Sequence, residues 1–359
     1  MSNACSVSHP KLIDKLQAYG FKGHLLRWLS CFLTDRSQCV KIGDATSSLS
    51  RVTSGVPQGS VLGPTLFLIF INDLCDLLDD LDVKYKLFAD DLKMYAPSKP
   101  NSVSSDMATA LLRIESWCDT WQMNLAHDKC FCIRVCGKSS SSSPPSSYLL
   151  HNDPLKICNS VKDLGVVVDC HLNFSEHISA MIRKAMTRSR LILKCFSSRN
   201  HSLLVKAFTT YVRPLLEYCS VVWSPHLRCL SDKIESVQRH FTKRLPGLGA
   251  KPYGDRLSIL GLQSLESRRV VFDLVLLYKI TYGFTDSTLS SLLTVKSDLR
   301  TRGHDLCLNP LRFSNDTAKF LFINRSIALW NRLPHDTVHA GSPSSFKQSL
   351  LKSDLLRCR

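Results

Sequence analysis

The sequence predicts an α+β fold whose first half mixes helices with β-hairpins and whose second half is helical. Between Val83 and Tyr95, apolar and polar residues alternate with a period of two, which indicates strands on either side of a turn. From Glu176 onward, apolar residues recur at helical spacing, the pattern of helices that bury one face. A segment punctuated by Gly and Pro, residues 55–63, precedes an apolar helix.

The first predicted helix covers residues 10–33 and is interrupted at Gly20–Gly23, because glycine disfavours a helix interior. A hairpin follows at Ser37–Arg51, with Gly43 and Asp44 in its turn. The later elements are predicted in this order: helix Thr65–Leu78, hairpin Val83–Tyr95, helix Ser104–Asn124, a surface loop at the Ser/Pro tract Ser139–Ser147, a strand at Val161–Asp169, and helices from Glu176.

The net positive charge of the chain comes entirely from its second half. The 359 residues carry 46 Lys and Arg against 30 Asp and Glu, a net charge of +16. Residues 1–175 hold 17 of each sign, whereas residues 176–359 hold 29 basic and 13 acidic residues. With 44% hydrophobic residues the chain has material for a core, which excludes wholesale disorder, and the excess charge favours an anionic partner.

The cysteine content and the N-terminal sequence favour an intracellular protein. There are 15 cysteines, no secretory signal follows Met1, and no apolar run is long enough to span a bilayer. We therefore predict reduced thiols without disulfides, no membrane contact, and a location in the nucleus, the cytoplasm or both. Cys130, Cys132 and Cys136 cluster without a zinc-finger spacing, which argues against a structural zinc site.

Two adjacent carboxylates, Asp90 and Asp91, interrupt the second hairpin. Aspartate is disfavoured in strands, and neighbouring carboxylates repel each other unless a cation neutralises them. Mg²⁺ prefers such hard oxygen ligands together with substrate phosphates, and a pair of these ions can stabilise phosphoryl transfer. The alternative is an ordinary polar turn, since Asp-Asp pairs are common.

The Gly/Pro segment upstream contains small residues that allow a large ligand to approach the backbone closely. It includes Pro57, Gln58, Gly59 and Ser60, and the Gln58 amide offers both a donor and an acceptor to a base or sugar edge. An ordinary turn before a core helix is again the alternative reading of this segment alone.

Taken together, these segments carry a resemblance. GVPQGSVLGPTLFLIFINDL and FADD, in this order and spacing, resemble the reverse transcriptases of non-LTR (LINE-type) retrotransposons. The segments WCDTWQMNLAHDK, ending at Lys129, and LGVVVD, beginning at Leu164, also resemble that family, as does YVRPLLEY from Tyr211. The resemblance implies a right-hand polymerase: a partial α+β palm, then a helical thumb and a helical C-terminal region.

The resemblance also implies the chemistry. It assigns Asp90 and Asp91 to the catalytic metal site, with Mg²⁺ as the cofactor and Mn²⁺ as a substitute, and Lys129 to proton donation to the departing pyrophosphate. A solvated surface lysine is the alternative for Lys129. Pro57, Gln58, Gly59 and Ser60 would line the nucleotide and template side, and Leu164 and Gly165 would hold the primer end. The implied partners are an RNA template, a DNA primer and deoxynucleoside triphosphates.

The implied domains are a palm at residues 1–175, a basic thumb at residues 176–248 and a helical C-terminal region at residues 249–359. In the thumb, basic residues flank an apolar stripe and would follow a phosphate backbone, whereas a merely solvated charged face is the alternative. These residues are Arg183, Lys184, Arg188, Arg190 and Lys194.

The chain also departs from the family pattern. The position of the first catalytic aspartate is taken by Ala4-Cys5, and cysteine is a poor ligand for Mg²⁺. We expect the fingers and the first palm strand to be missing, and therefore little or no polymerase activity from this chain alone. The alternative function is an inactive retrotransposon remnant that only binds nucleic acid. A third option is a module completed by a partner chain that supplies the missing palm and fingers.

Overall fold

The structure is a computed structural model that describes residues 6–97, 104–135, 147–285, 288–296, 304–313 and 319–353. Its contacts divide the chain into two units. Unit 1 contains the described residues up to Arg134 together with those from Ser147 to Cys158, and unit 2 contains those from Asn159 onward. The predicted palm, thumb and C-terminal boundaries stay a prediction, although the strands after Asn159 group with the helical unit.

Unit 1 has four helices, counted among its described residues: α1 (His9–Ala18), α2 (Gly23–Leu33), α3 (Gly63–Ile71) and α4 (Ser105–Trp121). The predicted break at Gly20–Gly23 is confirmed. Helix α3 is shorter than the predicted Thr65–Leu78, because Asn72–Leu74 forms a 3-10 turn and further turns follow. This stretch is rich in aspartate, which has a low helix propensity.

The strands of unit 1 pair two by two. The first hairpin is nested: β1 (Ser37–Gln38) pairs with β4 (Ser50–Arg51), and β2 (Lys41–Ile42) with β3 (Ala45–Thr46). The second predicted hairpin is confirmed as β5 (Lys84–Phe88) paired with β6 (Asp91–Tyr95). The other strands of the unit are β7 (Phe131–Ile133), which runs parallel to β10 (Lys156–Cys158), and the pair β8 (Leu149–Leu150) and β9 (Asp153–Pro154).

A buried lysine ties three helices of unit 1 together. The Lys15 ammonium on α1 donates a hydrogen bond to Asp73 Oδ1 at 2.6 Å and another to the carbonyl of Phe70 on α3. It also lies 4.5, 4.7 and 3.8 Å from the ring centroids of Phe70, Trp117 and Trp121, the last two on α4. Burial lowers the pKa of Lys15, and the Asp73 carboxylate opposes that shift. The surrounding core includes Leu12, Leu16, Leu66 and Ile114.

Unit 2 begins with a hairpin and continues as helices. Its described elements, in order, are β11 (Ser160–Asp163), β12 (Val166–Asp169), α5 (Ser175–Cys195), α6 (His201–Tyr211), α7 (Arg213–Glu217), α8 (Ser220–Trp223), α9 (Arg228–Lys243), α10 (Tyr253–Leu260), α11 (Leu265–Thr281), α12 (Phe322–Trp330), α13 (His335–Val338) and α14 (Pro343–Lys352). The prediction of one strand at Val161–Asp169 was wrong, because residues 164–165 turn the chain back on itself and β11 pairs antiparallel with β12.

Two apolar clusters hold unit 2. The first surrounds α5, where Ile178, Met181, Ala185 and Ile192 are buried as the stripe predicted. The second packs α11 against α12 and α14. Trp223 and Trp330, at 1% and 0% exposure, are core residues. Helices α11 and α12 are also joined by the Arg325 guanidinium, which contacts both Asp273 carboxylate oxygens at 2.8 and 3.0 Å.

Within the described residues, no helix is both long enough and apolar enough to cross a bilayer. Every cysteine that the structure describes is a free thiol, including Cys130 and Cys132 of the predicted cluster. Cys136 and the Ser/Pro tract, except for Ser147, lie outside the described residues, as do Ala4 and Cys5.

Candidate active site

The paired carboxylates lie at a tight turn between β5 and β6. The last ladder pair joins Phe88 to Asp91, so Ala89 and Asp90 form a two-residue connection. Ala89 has a φ of 52°, in the left-handed region that residues with a β-carbon seldom occupy. Two-residue hairpin turns require such a positive φ at their first position, so the conformation of Ala89 follows from the tightness of this turn.

The hairpin presents its two aspartates toward solvent while its other face is buried. Leu87 and Leu92 pack against the core of unit 1, whereas Asp91 is exposed and Asp90 is half-buried. Two neighbouring carboxylates are a donor set suited to Mg²⁺, which takes one or two protein carboxylates and completes its shell with phosphates and water. Among the described residues, no third His, Cys, Asp or Glu joins them in a group tight enough to share one ion.

The loop before α3 is a turn closed on itself. The Ser60 amide and the Ser60 hydroxyl both donate to the Pro57 carbonyl, at 3.3 and 2.6 Å. Gly59 has a φ of 76°, which suits the third position of a type II turn. The Ser60 hydroxyl also accepts a hydrogen bond from the Gly63 amide at 3.0 Å and so caps the helix. Gln58 and Gly59, at the tip of the turn, are exposed.

The start of this loop is anchored to the residues before α1. Ser8 and Ser54 form an antiparallel bridge, and the Gly55 amide donates to the Val7 carbonyl at 2.7 Å. The buried His9 ring nitrogen Nε2 lies 2.8 Å from the Gly55 carbonyl, to which it donates. The sequence alone gives no sign of this role of His9, because its partner lies 46 positions away and no local pattern marks the pairing.

Lys129 ends a 3-10 turn, His127–Lys129, immediately before β7, and its side chain is exposed. The next residue, Cys130, and Met94 of β6 both pack against the small buried cluster of Leu111, Leu150 and Leu155. The segment after Lys129 and the strand that begins at Asp91 therefore share this cluster.

In unit 2, Leu164 and Gly165 form the turn between β11 and β12. Both have positive φ angles, 41° and 88°. The Tyr218 hydroxyl donates to the Leu164 carbonyl at 2.9 Å. A β-carbon at Gly165 would lie 3.2 Å from Tyr218 Cε1, so the ring closes directly over this turn.

The five basic residues predicted on α5 are all exposed, and they lie beside the buried apolar stripe of that helix. They are Arg183, Lys184, Arg188, Arg190 and Lys194. Two later arginines behave differently: Arg268 pairs with Glu217, and the buried Arg269 donates to the Ser231 hydroxyl at 2.9 Å. These two charges are therefore engaged within the fold, whereas the five on α5 are exposed, although Arg188 also donates a hydrogen bond to the Tyr211 carbonyl at 3.2 Å.

Comparison with known proteins identifies the domain that holds the aspartates. Residues 5–168 match the family described as reverse transcriptase (RNA-dependent DNA polymerase). These residues belong to the reverse transcriptase family. The matched range contains the loop at Pro57–Ser60, Asp90, Asp91, Lys129 and the turn at Leu164–Gly165, so it includes every predicted residue of the reverse transcriptase site except the basic face of α5.

Individual relatives indicate the non-LTR branch of the reverse transcriptases. The RNA-directed DNA polymerase from mobile element jockey of Drosophila melanogaster is 27% identical over 250 residues, which cover 67% of this chain and 27% of the relative. The probable RNA-directed DNA polymerase from transposon X-element of the same fly is 28% identical over 61% of the chain and 24% of its own length. An uncharacterised protein of Caenorhabditis elegans is 33% identical over 32% of the chain and 60% of its own length. The chain thus spans about a quarter of the length of these two mobile-element relatives.

Proposed function

We propose that this chain acts in RNA-directed DNA synthesis, adding deoxynucleotides to a primer 3′-hydroxyl on an RNA template. The observation that supports this most strongly is the position of Asp90 and Asp91. They lie at a tight hairpin turn, exposed and half-exposed, within the residues that match the reverse transcriptase family. Two adjacent carboxylates on a solvent-facing turn are suited to binding divalent ions together with a triphosphate.

In this proposal each part of unit 1 has a task. Asp90 and Asp91 hold Mg²⁺, or Mn²⁺ in its place. Bound ions of this kind stabilise the charge on the attacking and leaving oxygens of a phosphoryl transfer. The exposed Gln58 amide and the Gly59 backbone contact the nucleotide and template side. Lys129 supplies a proton to the departing pyrophosphate.

Unit 2 would bind the nucleic acid and would not take part in the transfer reaction. The Leu164–Gly165 turn, held by Tyr218, would contact the primer end, and the exposed basic face of α5 would follow the duplex backbone. We propose that the whole chain divides into a palm at residues 1–175, a thumb at residues 176–248 and a helical C-terminal region at residues 249–359. The excess charge of the second half supports this division, because phosphate backbones are bound mainly by Lys and Arg.

Primer extension by the purified chain tests the proposal. The assay uses a primed RNA template, deoxynucleoside triphosphates and Mg²⁺ or Mn²⁺, with the chain, Asp90→Asn, Asp91→Asn and the control Asp76→Asn. Asp76 is an exposed aspartate of the same unit outside the hairpin, so its change in charge is matched. We expect slow extension by the chain, because Ala4-Cys5 replaces the first carboxylate, and a loss of at least about 100-fold in Asp90→Asn.

Extension that persists in Asp90→Asn contradicts the proposed metal site, and no extension with either metal contradicts polymerase activity of this chain alone. In the second case, binding of the primed template without extension would identify the chain as the inactive remnant. Restoration of extension by a second chain that carries palm and fingers segments of a reverse transcriptase would identify a two-chain enzyme.

A further inference from the structure

A group of three metal-ligating side chains lies in the C-terminal part of unit 2, outside the residues that match the reverse transcriptase family. Asp305, His335 and His339 bring one ligand atom each to within 4.8 Å of one another. His339 Nε2 lies 2.6 Å from Asp305 Oδ1, and His335 Nε2 lies 3.9 Å from the same oxygen. The two imidazole rings are adjacent, with centroids 4.3 Å apart. Both Nε2 atoms therefore converge on one carboxylate oxygen.

The backbone that carries the two histidines is fixed. The His339 amide donates to the His335 carbonyl at 3.0 Å, which closes one helical turn and places both rings on the same face. Between them Val338 is fully buried, and the Tyr282 hydroxyl of α11 donates to its carbonyl at 2.9 Å. The histidines are thus exposed side chains on an anchored turn.

Asp305 is positioned by the residue before it, His304. His304 is fully buried, and its Nε2 lies 3.0 Å from the carbonyl of Trp330 at the end of α12. Asp305 follows it directly and points to the histidines. Because both supporting segments are anchored, bringing the three ligands together requires only side-chain rotation, and little ordering entropy is lost.

Two imidazole nitrogens and one carboxylate oxygen suit Zn²⁺ and its first-row neighbours rather than Mg²⁺ or Ca²⁺. At Zn–ligand distances of about 2.0–2.1 Å, tetrahedral ligands lie about 3.3 Å apart. The observed spacings of 2.6 and 3.9 Å fall on either side of that value. The Asp336 carboxylate lies 3.6 Å from His335 Nδ1, which is too far for a hydrogen bond but adds negative charge beside the ring.

We propose that Asp305, His335 and His339 bind one Zn²⁺ ion, with solvent in the fourth position. The ion would join the segment after His304 to the turn of α13 and so stabilise the C-terminal helices. This site is independent of the proposed polymerase activity, because none of its residues belongs to the reverse transcriptase match.

Metal titration of the tag-free, reduced full-length chain tests the site. Co²⁺ serves as the optical probe and Zn²⁺ as the competitor, because Co²⁺ bound to thiolates shows an intense near-ultraviolet charge-transfer band that a His/Asp site lacks. The variants are H335Q, H339Q, D305N and the triple variant, with the exposed His24 changed to Gln as the matched control. Circular dichroism verifies that each variant is folded, and thermal unfolding is measured with and without Zn²⁺.

We expect one equivalent of Co²⁺ without a thiolate band, displaced by Zn²⁺. Each single variant should lose at least about tenfold in affinity, the triple variant should lose this binding, and H24Q should match the parent. Zn²⁺ should raise the melting temperature of the parent chain and of H24Q but not of the triple variant. Equal affinity in the triple variant, or binding seen only through the thiolate band, would overturn the proposal.

Discussion

Tyr218 holds the Leu164–Gly165 turn from a position 54 residues further along the chain, through a 2.9 Å hydrogen bond from its hydroxyl to the Leu164 carbonyl. The same ring lies so close to Gly165 that a β-carbon there would meet Cε1 at 3.2 Å. The turn proposed to contact the primer is therefore shaped by a residue outside the reverse transcriptase match, which ends at residue 168.

Tyr218→Phe should lower the free energy of unfolding slightly, because it removes one solvent-exposed hydrogen bond. Gly165→Ala should cost about 1–2 kcal/mol, because a left-handed φ of 88° disfavours alanine and the new methyl meets the ring. Denaturant unfolding of both variants, with Tyr211→Phe as an exposed tyrosine control, measures these changes. Amide exchange should quicken in β11 and β12 of both variants but not in the control, and unchanged protection there would refute the role of Tyr218.

Gly63→Ala should destabilise the loop at Pro57–Ser60, whereas Gly254→Ala should not. A β-carbon on Gly63 would lie 2.8 Å from the Pro57 carbonyl oxygen, and the backbone must shift to admit it. Gly254 occupies the first turn of α10 with open space around it, so alanine there should raise stability by about 0.4–1 kcal/mol. Denaturant unfolding compares the two. If Gly63→Ala proves as stable as Gly254→Ala, the Pro57 carbonyl is not fixed against the helix.

Acid should destabilise unit 2 through His177. This ring is buried beside Trp223, its Nδ1 accepts a hydrogen bond from the Val167 amide at 3.3 Å, and burial lowers its pKa below 6.5. Below pH 6.5 the unfolded chain then binds the proton more readily than the folded chain, so stability falls with a slope of up to about 1.4 kcal/mol per pH unit. The fall is complete once the pH has passed below the folded-state pKa.

Urea unfolding between pH 5 and pH 8 measures this effect. The stability advantage of the parent chain over His177→Gln should be largest above pH 6.5 and should shrink toward pH 5. The exposed His24→Gln is the control and should follow the parent at every pH. An advantage that stays constant with pH would show that the pKa of His177 is the same in the folded and the unfolded chain, which contradicts the prediction.

Neutralising the α5 face should weaken nucleic-acid binding at every sequence tested. The triple variant Lys184→Gln/Arg188→Gln/Lys194→Gln removes three exposed charges, and each one that contacts phosphate should reduce the slope of log K against log salt by about 0.7–0.9. The control Arg332→Gln/Lys347→Gln/Lys352→Gln removes the same charges from exposed positions in the C-terminal part of the chain, in α14 and in the turn after α12. Fluorescence anisotropy across a salt series gives both slopes. Equal slopes in the two triple variants would remove α5 from the proposed interface.

Local signals account for what the sequence predicted correctly. The glycines at 20–23 divide α1 from α2, the period of two in residues 83–95 forms the β5–β6 hairpin, and the apolar stripe of α5 is buried. Each of these follows from neighbours within a few positions of the chain, where propensity and periodicity act.

The features that were missed depend on distant partners. Leucine is not a typical turn residue, so the Leu164–Gly165 turn, with a φ of 41° at Leu164, was predicted as continuous strand. Tyr218, which holds this turn, lies far along the chain between α7 and α8. His9 has no local sign of its bond to Gly55. The i, i+4 spacing of His335 and His339 was a readable signal, but Asp305 lies 30 positions earlier and only the fold brings it near.

The Lys15 ammonium has a mechanical consequence for the candidate active site. It binds the C-terminal end of α3 through the Phe70 carbonyl and Asp73, while the rings of Trp117 and Trp121 enclose it from α4. Sliding or rotating α3 would expose a desolvated positive charge to an apolar surface, which is costly. The N-terminal end of α3 carries the Ser60 cap. The position of the Pro57–Ser60 turn is therefore fixed from the opposite end of α3 by the Lys15 ammonium, which no substrate would contact.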